Sequence, residues 1–285
     1  MRTAIVTDSN SGIFMEEGRK LGVHVISMPV IIEGETYFEG YGLPHEVFYQ
    51  WLLEHKELST SQPSLGDIME MWDCILSDGY DEIVYIPMSS GLSSSCQTAQ
   101  ILAREYDGKV QVVDNHRISV TQRHSVQDAL TLAEQGYSAE EIKRKLEQSA
   151  YESIILVGVE TLEYLKKGGR VTPAGAAVGE LLNIKPLLII EGKRLDAYAK
   201  VRGTKNCKKC LLQEMKKRAH EFHEKGCEIR VGVAGSFVER EEHQEWMNMA
   251  KEIFEGEEFN YDPLTFSIGC HVGPGAFGMG ISRKL

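Results

Sequence analysis

The sequence predicts an α/β protein with two α/β domains, a ligand cleft between them and a largely parallel sheet in the N-terminal lobe. Short apolar runs alternate with stretches whose apolar residues have helical spacing, which is typical of α/β sheets with parallel strand pairs. The alternation restarts after about residue 150, so we expect an N-terminal domain over residues 1–152 and a C-terminal domain over residues 153–285. A cleft between two lobes is the default place for a ligand.

Individual elements follow from the local pattern. The apolar run Ile83–Ile86 predicts a short buried strand, and Gln97–Tyr106 predicts the helix after it. Near the end of the chain, Leu264–Ile268 predicts a last strand. Other predicted elements are a strand at Thr3–Thr7, a helix at Ala174–Leu182, an antiparallel hairpin of Pro186–Ile190 with Leu195–Lys200 around Gly192, and a long helix at Thr204–Lys225.

Composition and charge narrow the class of protein. The 285 residues are 42% hydrophobic and 26% charged, as in ordinary globular proteins. A net charge of −11 argues against nucleic-acid binding, because neutralising phosphates usually takes a basic excess. The sequence has no run of about 18 apolar residues, so no membrane span is predicted. The N-terminus lacks a signal-peptide pattern, so we expect a cytoplasmic protein with its six cysteines reduced.

A serine-rich loop between the strand Ile83–Ile86 and its helix is the most informative stretch. Its polar residues are Ser89, Ser90, Ser93, Ser94 and Ser95. Hydroxyls and unpaired backbone N–H groups at a helix start favour an anion. The loop has no lysine and lacks the GxxxxGK[ST] spacing, which disfavours a triphosphate and favours a smaller anion such as a carboxylate. Alternatively, the serines only cap the helix and shape the turn.

Other polar residues also follow predicted strands or lie in glycine-rich turns. They are Thr60, Ser61, Arg170 and His271. Strand ends of open α/β sheets are where ligands tend to bind. A histidine, an arginine and several hydroxyls together can hold a carboxylate through charge-assisted hydrogen bonds. The alternative is that His271 and Arg170 only satisfy nearby carbonyl groups.

A catalytic alternative uses the same residues. One of Ser93–Ser95, His271 and an aspartate such as Asp8 or Asp114 would make the triad of a serine hydrolase or acyltransferase. The loop does not have the GxSxG sequence of a nucleophile elbow, and no spacing aligns a base with any one serine. No GxGxxG follows the first strand either, which weakens any interpretation as a dinucleotide-binding protein.

Cysteines and basic residues of the long helix suggest two further sites. Cys207, Cys210, His220, His223 and Cys227 have metal-like spacing, but they follow one predicted helix on which Cys207 falls on the apolar face, so no metal site is predicted. Basic residues cluster at 200–205 and at 208–209. Such a cluster is either a solvated face or a docking patch for an acidic partner.

Several segments together resemble the DegV family, the fatty-acid-binding subunits of bacterial fatty acid kinase. They occur in the order found in that family and cover essentially the whole chain. The matching stretches are Ala4–Ser9, Thr60–Ser64, Ile86–Ser93, Val112–Asp114, Leu165–Arg170, Lys185–Pro186 and Gly269–Gly275.

The resemblance implies a site and a role. Two α/β domains would enclose one long-chain fatty acid, with its tail in an apolar tunnel and its carboxylate at an interdomain polar site. By motif position, Thr60 or Ser61, Ser93, Arg170 and His271 would bind the carboxylate. Ser94 is a further candidate, although the family frequently has Gly-Thr where this chain has Ser94-Ser95.

The resemblance also implies a partner. The protein would have no chemistry and no cofactor of its own, and would present the acid to an ATP-dependent fatty acid kinase that makes an acyl-phosphate for phospholipid synthesis. The missing P-loop lysine agrees with ATP binding by that partner. The basic turn with Arg202 would face it. A lipid-independent regulatory module is a further alternative.

Overall fold

The computed structural model describes residues 2–170, 172, 183–192, 194–255 and 259–285. Its strands, in chain order, are β1 (Thr3–Asp8), β2 (Val23–Ile26), β3 (Pro29–Ile32), β4 (Glu35–Phe38), β5 (Leu58–Thr60), β6 (Glu82–Ile86), β7 (Val110–Val112), β8 (Ser153–Gly158), β9 (Ile184–Ile190), β10 (Leu195–Arg202), β11 (Ile229–Gly235), β12 (Phe259–Pro263) and β13 (Phe277–Arg283). Its α-helices are α1 (Met15–Leu21), α2 (His45–Leu53), α3 (Leu65–Ser77), α4 (Ser95–Leu102), α5 (Ser119–Glu134), α6 (Ala139–Gln148), α7 (Glu163–Gly168), α8 (Thr204–Glu224), α9 (Arg240–Ile253) and α10 (Phe266–Val272). No helix among these residues is both long enough and apolar enough to cross a membrane.

The apolar runs of the first 112 residues form a parallel sheet in the order β2-β1-β6-β7. Alternate side chains of β6 go to opposite faces, because successive residues of a strand point to opposite sides. Val84 and Ile86 join the core under α5 and α6, whereas Ile83 and Tyr85 join the core under α3 and α4. Coverage on both faces explains why β6 is apolar almost throughout and fully buried. The predicted parallel sheet is confirmed.

The second half of the chain forms a six-stranded sheet in the order β10-β9-β8-β13-β11-β12. It is antiparallel except for the pair β11–β12. The predicted hairpin is confirmed, since β9 and β10 pair antiparallel. The predicted long helix is also confirmed as α8, which packs with α9 on one face of this sheet.

A small antiparallel sheet, β4-β3-β5, is formed by the segment between β2 and β6. Glu33 and Gly34 make its tight turn with positive φ angles of 50° and 85°. Its apolar residues pack with α2 and with Phe266 of α10. The small sheet therefore connects directly to the helix that carries His271.

The predicted strand at Leu264–Ile268 is wrong, because α10 begins at Phe266 and the last strand is β13. In Leu264–Ile268 apolar and polar residues alternate, which is a strand pattern, but the chain here forms a buried helix instead. The predicted helix at Ala174–Leu182 lies outside the described residues. The division into domains at residue 152 stays a prediction.

Candidate functional site

A cavity of about 240 Å³ lies where the carboxyl ends of β5 and β6 meet the six-stranded sheet and α10. Its apolar lining comes from both halves of the chain: Met28, Met88, Leu92, Ile118, Val120, Ile155, Val157, Leu165, Ile190, Leu195, Ala234, Leu264, Ile268, Val272 and Met279. Most of these residues belong to one buried apolar cluster. The cavity is thus a space within a hydrophobic core.

All six residues that the sequence nominated line this cavity. They are Thr60, Ser61, Ser93, Ser94, Arg170 and His271. Thr60 and Ser61 come from the end of β5, the serines from the loop after β6, Arg170 from the turn after α7, and His271 from α10. The fold brings four distant segments to one place. The role of these side chains as carboxylate ligands stays a prediction.

His271 is held between Thr60 and Gly168. Its Nε2 lies 3.2 Å from Oγ1 of Thr60, whereas its Nδ1 is buried without a hydrogen-bond partner among the described residues. A Cβ atom added to Gly168 would lie 2.2 Å from that Nδ1, so the imidazole packs directly against the glycine. Burial, followed by the positive charge of Arg170, lowers the pKa of His271 to about 4. The imidazole is therefore neutral at pH 7 and offers one N–H donor.

Arg170 contacts two segments at the polar end of the cavity, the end lined by Thr60, Ser61, Ser93, Ser94, Arg170 and His271. Its Nε donates to the Leu92 carbonyl at 3.4 Å, and its guanidinium also donates to the Gly168 carbonyl. The side chain is exposed, so it can move towards a ligand without losing a buried partner. It supplies the permanent positive charge beside the neutral His271. A charge-assisted hydrogen bond to a carboxylate is worth about 1.5–3 kcal/mol.

The serine loop has buried structural serines and accessible ones. Ser89 and Ser95 are each 1% exposed, and the carbonyl of Ser89 accepts from the backbone N–H groups of Leu92 and Ser93. Oγ of Ser93 accepts from the backbone N–H of Ser95 at 3.2 Å, which fixes the start of α4. Ser93 thus shapes the turn before α4, whereas Ser94, the N-cap residue, makes no side-chain cap bond; both line the cavity.

Gln62 is a cavity residue that the sequence reasoning missed. Its Oε1 accepts from Oγ of Ser94 at 3.5 Å and from Oγ1 of Thr98 at 3.1 Å. These bonds hold the segment after β5 against the serine loop. Gln62 lies inside the matching stretch Thr60–Ser64, so the sequence indicates the right segment, although it does not indicate that the amide takes part.

The aspartates that could complete a triad are engaged elsewhere. Asp8 is fully buried and accepts from the Met88 backbone N–H at 2.8 Å and from Gln122 at 3.1 Å. Asp114 lies 3.1 Å from His116. Within the described part of the chain, no carboxylate orients His271, so the relay that a serine hydrolase requires is not assembled.

The first cysteine of the metal-like pattern, Cys207, is a core residue. Cys207 is fully buried and packs with Leu211 and Met215 under the six-stranded sheet. The described residues contain no group of three or more histidine, cysteine or acidic side chains placed to hold a metal ion.

The basic cluster is smaller than the sequence suggested. Arg202, Lys200 and Lys205 are exposed around the end of β10. Lys208 instead is 3% exposed, and its ammonium group bonds Glu245 at 2.9 Å. Only the first group of basic residues therefore offers several charges to a partner.

Comparisons with known proteins agree with this architecture. A family model described as an uncharacterised protein of the DegV family matches residues 2–284. A DegV domain-containing protein of Staphylococcus aureus is 31% identical over 285 residues, 98% of each chain. A DegV family protein from Thermus thermophilus, described by its fatty acid binding, has a TM-score of 0.87 at 30% identity over 99% of this chain and 100% of that one. DegV from Bacillus subtilis, described as a fatty acid binding protein, has a TM-score of 0.84 at 28% identity over 100% of both chains.

The match extends over nearly the whole chain, in sequence and in structure. The predicted mixed α/β fold is confirmed by these solved structures. The predicted resemblance is confirmed as well: the chain belongs to the DegV family.

Proposed function

We propose that this protein binds one long-chain fatty acid, with the acyl tail in the cavity and the carboxylate at its polar end. The observation that carries the proposal is a single cavity whose walls are apolar and whose polar residues include Thr60, Ser93, Arg170 and His271. The two structural relatives described as fatty acid binding support it further. We also propose that the protein has no chemistry of its own and needs no cofactor.

The energetics favour the tail as the main source of affinity. Burying about sixteen methylene groups at about 0.8 kcal/mol each gives roughly 13 kcal/mol before the costs of ordering the ligand. The polar end contributes less, because Arg170 is the one permanently charged residue among the described residues that line the cavity. Its main effect is to fix the direction of the ligand, with the head at Thr60 and His271.

We further propose that the bound acid is presented to an ATP-dependent kinase for acyl-phosphate formation in phospholipid synthesis. The exposed Arg202, with Lys200 and Lys205, is a suitable contact for an acidic surface on that partner. The side chain of Arg170 at the cavity is exposed, which supports access to the head group from outside.

Lipid analysis tests the binding proposal. Protein purified under native conditions is denatured and its lipids are identified by mass spectrometry, and delipidated protein is titrated with hexadecanoate. We expect a co-purified long-chain fatty acid, and about tenfold weaker binding in Arg170→Ala but not in Arg144→Ala on the exposed side of α6. A protein that neither carries nor binds any fatty acid contradicts the proposal. Labelling of a loop serine by a fluorophosphonate, lost in His271→Ala, would favour the hydrolase or acyltransferase instead.

Charge reversal tests the partner. Arg202→Glu should leave fatty acid binding unchanged and reduce phosphorylation of the bound acid by the partner kinase. Lys109→Glu, an exposed reversal in the other half of the chain, is the control and should change neither. Equal phosphorylation rates in both variants contradict a role for Arg202 in docking.

A further inference from the structure

Helix α10 is bonded at both ends to the small sheet β4-β3-β5. At its start, the backbone N–H of Phe266 lies 2.8 Å from each carboxylate oxygen of Glu39, the residue after β4. Thr265, the residue before α10, makes no side-chain cap bond, so Glu39 takes the place of the missing cap. Near its end, Nε2 of His271 lies 3.2 Å from Oγ1 of Thr60 in β5.

The two attachment points are held at a fixed separation. Strands β4 and β5 lie on opposite sides of β3, with Phe38 paired to Pro29 and Thr60 paired to Val30. Pro29 and Val30 are neighbours in the chain, so adjacent positions of one strand set both contacts. Ring stacking of Phe48 on Phe266, with centroids 4.4 Å apart, adds a packed contact at the start of the helix.

Burial of Glu39 at this position costs free energy unless its side-chain oxygens accept hydrogen bonds. Glu39 is 1% exposed, and a buried acid is tolerated only when its oxygens are satisfied. His45 is one titratable neighbour, with its Nε2 3.7 Å from the Glu39 carboxylate, and Tyr49 and Cys270 also lie near enough to interact with it. Glu39 is absent from the cavity lining, whereas Ser267, Ile268, His271 and Val272 of α10 are part of it.

We infer that Glu39 is a positioning residue for the polar end of the cavity. By fixing the start of α10, it sets where His271 lies relative to Thr60, Gly168 and Arg170. This inference rests on the proposed function, because it assigns the importance of that geometry to capture of a carboxylate. It predicts that loss of Glu39 harms recognition of the head group more than burial of the tail.

The test compares an acid with its alcohol. Affinities for hexadecanoate and hexadecanol are measured for the wild type, Glu39→Ala, Glu39→Gln and the exposed control Glu35→Ala, and the imidazole nitrogens of His271 are followed by NMR without ligand. Glu39→Ala should lower the preference for the acid about tenfold and shift the His271 signals. Glu39→Gln should stay close to the wild type, since its amide oxygen still accepts from Phe266. Glu35→Ala should change nothing.

A folded Glu39→Ala protein that binds both ligands equally less well, or keeps the His271 signals of the wild type, overturns the inference. If Glu39→Ala does not fold, Glu39→Met, which keeps the volume and removes both acceptors, is judged by the same criteria. A wild type without preference for the acid contradicts the proposed function, and the His271 signals then still decide the role of Glu39.

Discussion

Oγ1 of Thr60 lies 3.2 Å from Nε2 of His271, and this contact closes the polar end of the cavity between β5 and α10. With a pKa of about 4, His271 is neutral at pH 7, so the contact is a hydrogen bond between uncharged groups. A bound carboxylate would add a negative charge beside the imidazole. Because an opposite charge favours the protonated form, ligand binding and the protonation of His271 are coupled.

The first prediction concerns this coupling. In the ligand-free protein, His271 should titrate near pH 4, and bound hexadecanoate should raise its pKa while hexadecanol should not. Nitrogen-15 NMR of the imidazole during a pH titration measures both values. Thr60→Val, which removes the hydroxyl, should alter the His271 signals of the free protein. An identical midpoint with and without the acid would show that no carboxylate lies beside His271.

The second prediction concerns Gly168. A methyl group there would overlap Nδ1 of His271 at 2.2 Å, so the imidazole must shift or rotate to make room. The displaced imidazole no longer presents Nε2 beside Thr60 as in the wild type, so Gly168→Ala should weaken binding of hexadecanoate by about tenfold, through loss of a head-group contact. Gly66→Ala in α3, where an added methyl group meets only an atom 3.9 Å away, is the matched control and should bind normally. Equal affinities for the two variants would contradict the packing of His271 on Gly168.

The sequence was sufficient for residues whose position follows from local structure. Thr60 ends β5 and Ser93 lies in the loop after β6, and the segments that follow strands are where ligands of α/β sheets tend to bind. It was insufficient where a contact joins distant segments. Glu39 caps α10 across 227 residues, and no local pattern indicates that its carboxylate replaces the cap of a helix elsewhere.

Two wrong predictions have the same physical origin, a contact with a residue that is distant in the sequence. Leu264–Ile268 looked like a strand because its apolar and polar residues alternate, whereas the cap that starts α10 lies in another part of the chain. Lys208 looked like surface charge, but its ammonium group bonds Glu245 and lies 5.4 Å from the ring centroid of Phe237. Charge patterns record which residues are ionised and do not record which long side chains are buried.

The third prediction uses the pH dependence of stability. Burial raises the pKa of Glu39 from an ordinary value of 4.5 to about 8. Between these values the folded protein binds more protons than the unfolded chain, so this residue makes stability fall as pH rises, by up to about 1.4 kcal/mol per pH unit. Glu39→Gln removes that contribution. Urea unfolding at several pH values in this window should show a flatter profile for Glu39→Gln than for the wild type, and parallel profiles would contradict the raised pKa.

The fourth prediction concerns Arg123, which pairs with one carboxylate on α1 and one on β12 of the six-stranded sheet. Arg123 on α5 bonds both carboxylate oxygens of Glu17, and its Nε lies 2.8 Å from Asp262 of β12. Asp262 is 5% exposed, and burial raises its pKa to about 6. Above that pH, Arg123→Met leaves a buried carboxylate without its cation, which costs about 3–5 kcal/mol.

Below the pKa of Asp262 the same variant should lose less, because a protonated Asp262 carries no charge to compensate. The loss of unfolding free energy in Arg123→Met should therefore grow as pH rises through about 6. Arg283→Met is the matched control, since the side chains of Arg283 and Glu152 are 42% and 38% exposed, and such a pair contributes about 0–1 kcal/mol at any of these pH values. A loss in Arg123→Met that is independent of pH would contradict the coupling of Arg123 to a titrating Asp262.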